Sequence, residues 1–106
     1  MYGFHQILYS DTTYALQPVN TDGFSVSSNF HKIISDGSPH NVNYIYGGKP
    51  GQILTLLFMD SNITLIDDNT HTPNTIDMSG NYTSADDGVL IFLFDGISWY
   101  LTGSNN

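Results

Sequence analysis

The sequence predicts an all-β fold, a small antiparallel β-sandwich or jelly-roll-like domain with an extended N-terminal arm, and three observations carry that expectation. The good helix formers are nearly missing: Glu and Arg are absent, and Ala occurs only at Ala15 and Ala85. Thr, Val, Ile, Tyr and Phe, which suit a half-buried pleated surface, take their place, punctuated by Gly, Asn, Asp and Ser. Near the C-terminus, "VLIFLFDGISWYL" sets Asp95-Gly96 between two strand-like runs, the strongest short hairpin signal, because a type I′ turn needs positive φ at both central residues.

A chain of 106 residues allows one domain, which buries roughly 60 to 70 % of its unfolded surface. Residues 1–40 read as the arm, with breaks at Pro18, Asp22-Gly23 and Asp36-Gly37 and short strands at Gln6–Tyr9, Gly23–Ser27 and Phe30–Ile34. Residues 41–106 read as the compact module. "NVNYIY" alternates, "GGKPG" turns, and Ile53–Phe58 is a mostly apolar strand. Asp60-Ser61-Asn62 reads as a hairpin loop into Ile63–Ile66. After the polar excursion "DDNTHTPNT" come Ile76–Met78, the linker "SGNYTSADDG", and the final strands Val89–Phe94 and Ile97–Leu101. In "VLIFLF" every residue is apolar, so both faces of that strand should be covered, either by a sandwich core or by another subunit; "ILTLLF" makes nearly the same demand.

A net charge of −8 with only Lys32 and Lys49 as cations argues against nucleic acid and anionic membrane surfaces as partners. There is no cysteine, hence no disulfide or thiolate metal site. No run reaches the length of a membrane span, and the N-terminus lacks the pattern of a signal peptide.

Few residues suggest chemistry. Asp60, Asp67-Asp68, Asp77 and Asp86-Asp87 could offer oxygens to calcium, but no stretch matches the twelve-residue loop closed by Glu, and aspartates that shape turns are the simpler account. His5, His31, His40 and His71 have no metal-ligand spacing and are expected at a surface or interface. No pair of carboxyls is marked for glycosidase chemistry, Ser98 lacks a nucleophile elbow, and Gly47-Gly48-Lys49-Pro50-Gly51 has the wrong spacing for a phosphate loop. No cofactor, metal or catalytic residue is therefore assigned. Trp99, Tyr100, Tyr82, Tyr44 and Tyr46 could stack on sugar rings, although aromatics at alternating strand positions more commonly pack across a sheet. The sequons Asn62-Ile63-Thr64 and Asn81-Tyr82-Thr83 are expected by chance in so Asn- and Thr-rich a chain.

From about Tyr44 onward the order of motifs resembles a small β-module of bacteriophage virion proteins, found near the C-terminus of tail fibres and tailspikes. The positions that carry the resemblance are Gly51, Gln52, Thr55, Leu56 and Phe58, then Ile66 and Asp68, then Gly80, Asn81, Tyr82 and Asp86. Asp95, Gly96, Trp99, Tyr100, Ser104 and Asn106 complete it, while the basic residue expected after Trp99-Tyr100 is missing. The resemblance implies a homotrimer with Leu54, Leu56, Phe58, Leu90, Phe92, Phe94 and Trp99 at the trimer interface or core.

A short chain carrying such a module behind an aromatic arm looks like a capsid decoration, or cement, protein: non-enzymatic, made in the host cytoplasm and sited on the phage head. In that expectation Tyr2, Phe4, His5 and Tyr9 reach the major capsid protein by strand addition. The alternative is a tail-fibre tip or receptor-binding module that recognises host surface glycan through Tyr82, Trp99 and Tyr100.

Overall fold

The computed structural model describes residues 13–15 and 22–105, and these contain strands and turns but no helix. The strands are β1 (Thr13–Ala15), β2 (Gly23–Ser25), β3 (Phe30–Ile34), β4 (His40–Val42), β5 (Tyr44–Tyr46) and β6 (Ile53–Phe58). They continue as β7 (Ile63–Leu65), β8 (Ile76–Asp77), β9 (Tyr82–Thr83), β10 (Val89–Phe94) and β11 (Trp99–Ser104).

The architecture is a three-coil β-solenoid, which corrects the expected sandwich or jelly roll. β1, β3 and β6 stack in parallel as one face, β4 and β7 as a second, β2 and β5 as a third. From β3 the chain visits the faces in turn and returns to the first at β6. The offset between stacked partners runs from 19 residues, Thr13 to Lys32, to 25, Phe30 to Thr55. An antiparallel sandwich is built from hairpins between successive strands, whereas among the described residues only β10 and β11 are paired that way. Short strands bounded by turn residues suit either fold, because each coil also needs a strand and then a corner.

Two expected hairpin turns change with it. Asp60-Ser61-Asn62 is a corner between faces, since β7 pairs β4 and β9 rather than β6. The Asp95-Gly96 connection is a four-residue loop, because Phe94 opposes Trp99 and Asp95 N–H donates to Ser98 O at 3.2 Å. Gly96 has φ 103° but Asp95 is not in the left-handed region, so the turn is not type I′. The strand Gln6–Tyr9 lies outside the described residues. Residues 22–40, assigned to the arm from sequence, contribute β2 and β3 to the ladders.

Side chains facing the bore stack coil on coil. His31 lies opposite Leu56 and Leu56 opposite Leu90; Ile33 lies opposite Phe58, and Leu54 opposite Phe92. All are fully buried, as are Val42 and Leu65, another stacked pair on the second face. The parallel stack ends where β10 pairs antiparallel to β6 and β9 antiparallel to β7, which closes that end of the coil. β11 then pairs with β10 through a bulge at Ile91/Phe92, where Thr102 Oγ1 donates to Ile91 O at 3.1 Å. The sheet finishes at the two-residue β8, a short edge that limits further strand addition.

Trp99 joins this cap to the coils. Its ring is fully buried, lies 4.5 Å from that of Phe94, and its indole N–H donates to Ile45 O on β5 at 2.9 Å. Gly48 passes directly beneath, and a Cβ there would come within 2.5 Å of the Trp99 ring and 2.8 Å of Phe94.

Trp99→Phe should leave the Ile45 carbonyl unsatisfied and cost about 1 to 3 kcal/mol, measured by urea unfolding followed by circular dichroism. Gly48→Ala should cost a similar ~1 to 3 kcal/mol through overpacking, read in the same assay.

Candidate functional site

The best-formed surface constellation is Tyr100, Asp95, His71 and Asp77, at the corner where β11, the 95–98 loop and the excursion after β7 meet. β11 alternates, so Trp99 enters the bore and Tyr100 faces outward, beside Asp77 in the β8 register.

The loop and the excursion hold each other in place. Asp95 Oδ1 accepts the N–H groups of Ile97 and Ser98, both at 2.8 Å, which fixes the carboxylate at the loop's mouth. Asn74 N–H donates to Ile97 O at 2.7 Å, and Ser98 Oγ donates to Thr72 O at 3.2 Å. Asp68 Oδ1 anchors Thr70 by its N–H at 3.0 Å and its hydroxyl at 2.6 Å. Between these clamps His71 adopts φ 57°, a conformation that costs an L-residue of this kind roughly 1 kcal/mol or more.

His71 Nε2 then lies 2.9 Å from Asp95 Oδ2, and its ring centroid 6.3 Å from that of Tyr100. The pair stays open to water, with side chains 47 % and 35 % exposed, so it adds little to stability and remains available to a ligand. The Ser98 and Ile97 N–H groups, and then His71, hold the Asp95 carboxyl well below the usual carboxylate range. Desolvation, followed by the charge and hydrogen bond of Asp95 and the charge of Asp77, pushes the Tyr100 phenol above its ordinary value. The result is a half-buried aromatic ring beside the fixed Asp95 carboxylate, with Asp77 and an imidazole next to it.

The other aromatics singled out from sequence are placed differently. Trp99 is sealed inside, and Tyr82 packs on Phe58 with ring centroids 5.6 Å apart. Tyr44 and Tyr46 form a surface pair on the β2–β5 face, centroids 5.9 Å apart, with Tyr46 Oη donating to Asp22 at 3.3 Å. Leu54, Leu56, Phe58, Leu90, Phe92 and Phe94 are buried within the single chain, with Trp99 among them. The arm residues Tyr2, Phe4, His5 and Tyr9 lie outside the described residues.

Aspartates and histidines elsewhere build corners. Asp60 Oδ2 accepts the N–H and hydroxyl of Ser35 at 3.0 and 2.8 Å, and Oδ1 accepts Asn62 N–H at 3.0 Å. Desolvation opposes the charge of Asp60, but the N–H groups of Asn62 and Ser35 outweigh it and hold the carboxyl below its ordinary value. Asp67 accepts the N–H groups of Met78 and Gly80 at 2.8 and 3.1 Å, drawing the 78–81 segment against the coil. Among the described residues, no three metal-ligating side chains converge.

His31 and His40 depart from the surface or interface position expected of them, because both occupy inward rungs. His40 Nε2 meets Asp36 Oδ1 at 2.7 Å. His31 Nε2 accepts the N–H groups of Ser27 and Ser28 at 3.2 and 3.3 Å, a role open only to an unprotonated nitrogen. The Ser98 hydroxyl is buried against Thr75 Oγ1 at 3.1 Å. The Lys49–Gln52 turn is closed by Gln52 N–H donating to Lys49 O and Lys49 N–H donating to Gln52 Oε1, both at 2.9 Å.

No protein-family model matches the chain, and no curated protein or solved structure matches it.

Burial lowers the His31 pKa from 6.5, so the folded state refuses a proton that the unfolded chain accepts. Stability should be complete above pH 6.5 and fall as pH drops below it; His31→Gln should flatten that slope in urea titrations at successive pH values. The depressed carboxyls of Asp60 and Asp95 act lower. Their contribution should hold above pH 3.8 and be lost on further acidification, so Asp95→Asn should shrink the acid limb of the same profile.

Proposed function

We propose that this chain is a non-catalytic receptor-binding module, of the kind found at the tip of a phage tail fibre, and that it recognises surface glycan. The observation that carries the reading is the Tyr100 platform. A half-buried amphipathic ring suits the apolar side of a sugar, and the flanking Asp95, Asp77 and His71 suit its hydroxyls.

Two further points support it. Asp95 is fixed by two backbone donors before any ligand arrives, so little ordering entropy is lost on binding. A solenoid presents flat, repeated faces suited to extended ligands, and the second half of the chain carries the motifs that resemble tail-fibre modules. The capsid-decoration expectation drew on a reaching arm whose residues lie outside those described, so the geometry lends it no comparable support.

A glycan array should return a defined set of bound structures. Tyr100→Ala should weaken the best of these by about 2 kcal/mol, roughly 30-fold in calorimetric titration, while Tyr44→Ala leaves it unchanged. An empty array, or affinity indifferent to Tyr100→Ala, would remove the reading.

A further inference from the structure

The side chains around Tyr100 are not equally free to meet a ligand. Asp95 is largely spent on its own loop: Oδ1 accepts the N–H groups of Ile97 and Ser98 at 2.8 Å, and Oδ2 lies 2.9 Å from His71 Nε2. A carboxylate has about four acceptor positions, so Asp95 keeps roughly one. Asp77 is differently placed. Its carboxylate accepts no hydrogen bond among the described residues, and the adjacent Met78 N–H is taken by Asp67 instead.

Register puts this unused carboxylate beside the ring. β8 and β11 run parallel, with Trp99 opposite Ile76 and Tyr100 opposite Asp77; the first pair is fully buried, so the second shares the outer face. Neighbouring strands lie about 4.8 Å apart, close enough for the Asp77 charge to reach the Tyr100 phenol. On the other side of Tyr100 the register partner is Leu93, 36 % exposed, whose side chain neither donates nor accepts a hydrogen bond. A sugar lying on Tyr100 therefore meets one polar neighbour along this row, and Asp77 supplies it.

Charge narrows the class of sugar. An ionised carboxylate accepts hydrogen bonds and donates none. Asp77 and Asp95 stand against the single imidazole of His71 in a chain of −8, and neither lysine belongs to β8, β11 or the segments 66–75 and 95–98. Lys49, in the turn whose Pro50 packs beside Gly96, is exposed and forms no ion pair with either carboxylate.

We propose that Asp77 is the specificity-determining residue of this site, accepting hydroxyls of an uncharged sugar stacked on Tyr100, and that the site rejects sugars carrying a carboxylate. Asp95 is then a positioning residue, holding His71 and the loop. This rests on the sugar-binding reading and adds to it the class of sugar.

A glycan array printed with matched pairs, hexose oligosaccharides and hexuronic-acid counterparts of the same linkage, tests it with the full chain. Binding is expected on neutral members, with the acidic counterparts at least ~10-fold weaker in calorimetric titration. Asp77→Asn preserves the side chain's size and should weaken the neutral sugar roughly 10-fold while narrowing the neutral-to-acidic ratio, with circular dichroism and melting temperature unchanged. Asp86→Asn, which removes an exposed charge from the turn before β10, should change neither affinity nor ratio. Acidic sugars bound as tightly as neutral ones, or an Asp77→Asn protein with unaltered affinity and ratio, overturn the proposal and leave the sugar-binding reading standing. An empty array, or binding indifferent to Tyr100→Ala, overturns both.

Discussion

The hydrogen bond from the Trp99 indole to the Ile45 carbonyl is the tie on which the closed coil depends. Trp99 belongs to the last strand and Ile45 to the middle coil, so this contact joins segments 54 residues apart inside a bore that holds no other tryptophan. A parallel ladder can add strands at its ends without limit unless something stops it. Here the stop is the antiparallel return of β10 and β11, and Trp99 anchors that return in the interior. The close approach of Gly48 follows from the same packing, since a larger residue would displace the ring.

Fixing the cap also fixes the surface. Strand alternation that sends Trp99 inward sends Tyr100 outward, and the loop that brings the chain into β11 carries Asp95 at its mouth. The excursion supplying His71 is strapped to that loop through Asn74 and Ser98. The platform therefore inherits its rigidity from the core, which is the condition for a surface ring to act as a preorganised binding group. The same alternation, running through β6 and β10, leaves Ile53 and Leu93 on the outside.

Aspartate has two roles in this molecule. Asp60, Asp67, Asp68 and Asp95 accept backbone N–H groups and hold corners, which accounts for their clustering where the sequence suggests cation ligands. Together with the other aspartates they set the chain's net charge of −8, yet none lies on β3, β6, β10 or β11. Asp77, on the short edge strand β8, is the one aspartate of the described strands; the others sit at corners, where their side chains can accept backbone N–H groups.

The sequence by itself determined the all-β class and the extents of β3, β6 and β10, because apolar runs bounded by turn residues mark strands wherever they pair. It also singled out Tyr100 as a candidate sugar-stacking residue. Only the tertiary structure decided the solenoid, since a strand of five or six residues has the same local pattern whether its partner is the next strand, antiparallel, or one coil away, parallel. It alone decided that Trp99 and Tyr82 pack inward while Tyr100 does not, and that His71, 24 residues before Asp95, completes the site. Local sequence carries periodicity and turn chemistry, but partner choice and the meeting of distant loops are set by how the coils stack around one bore.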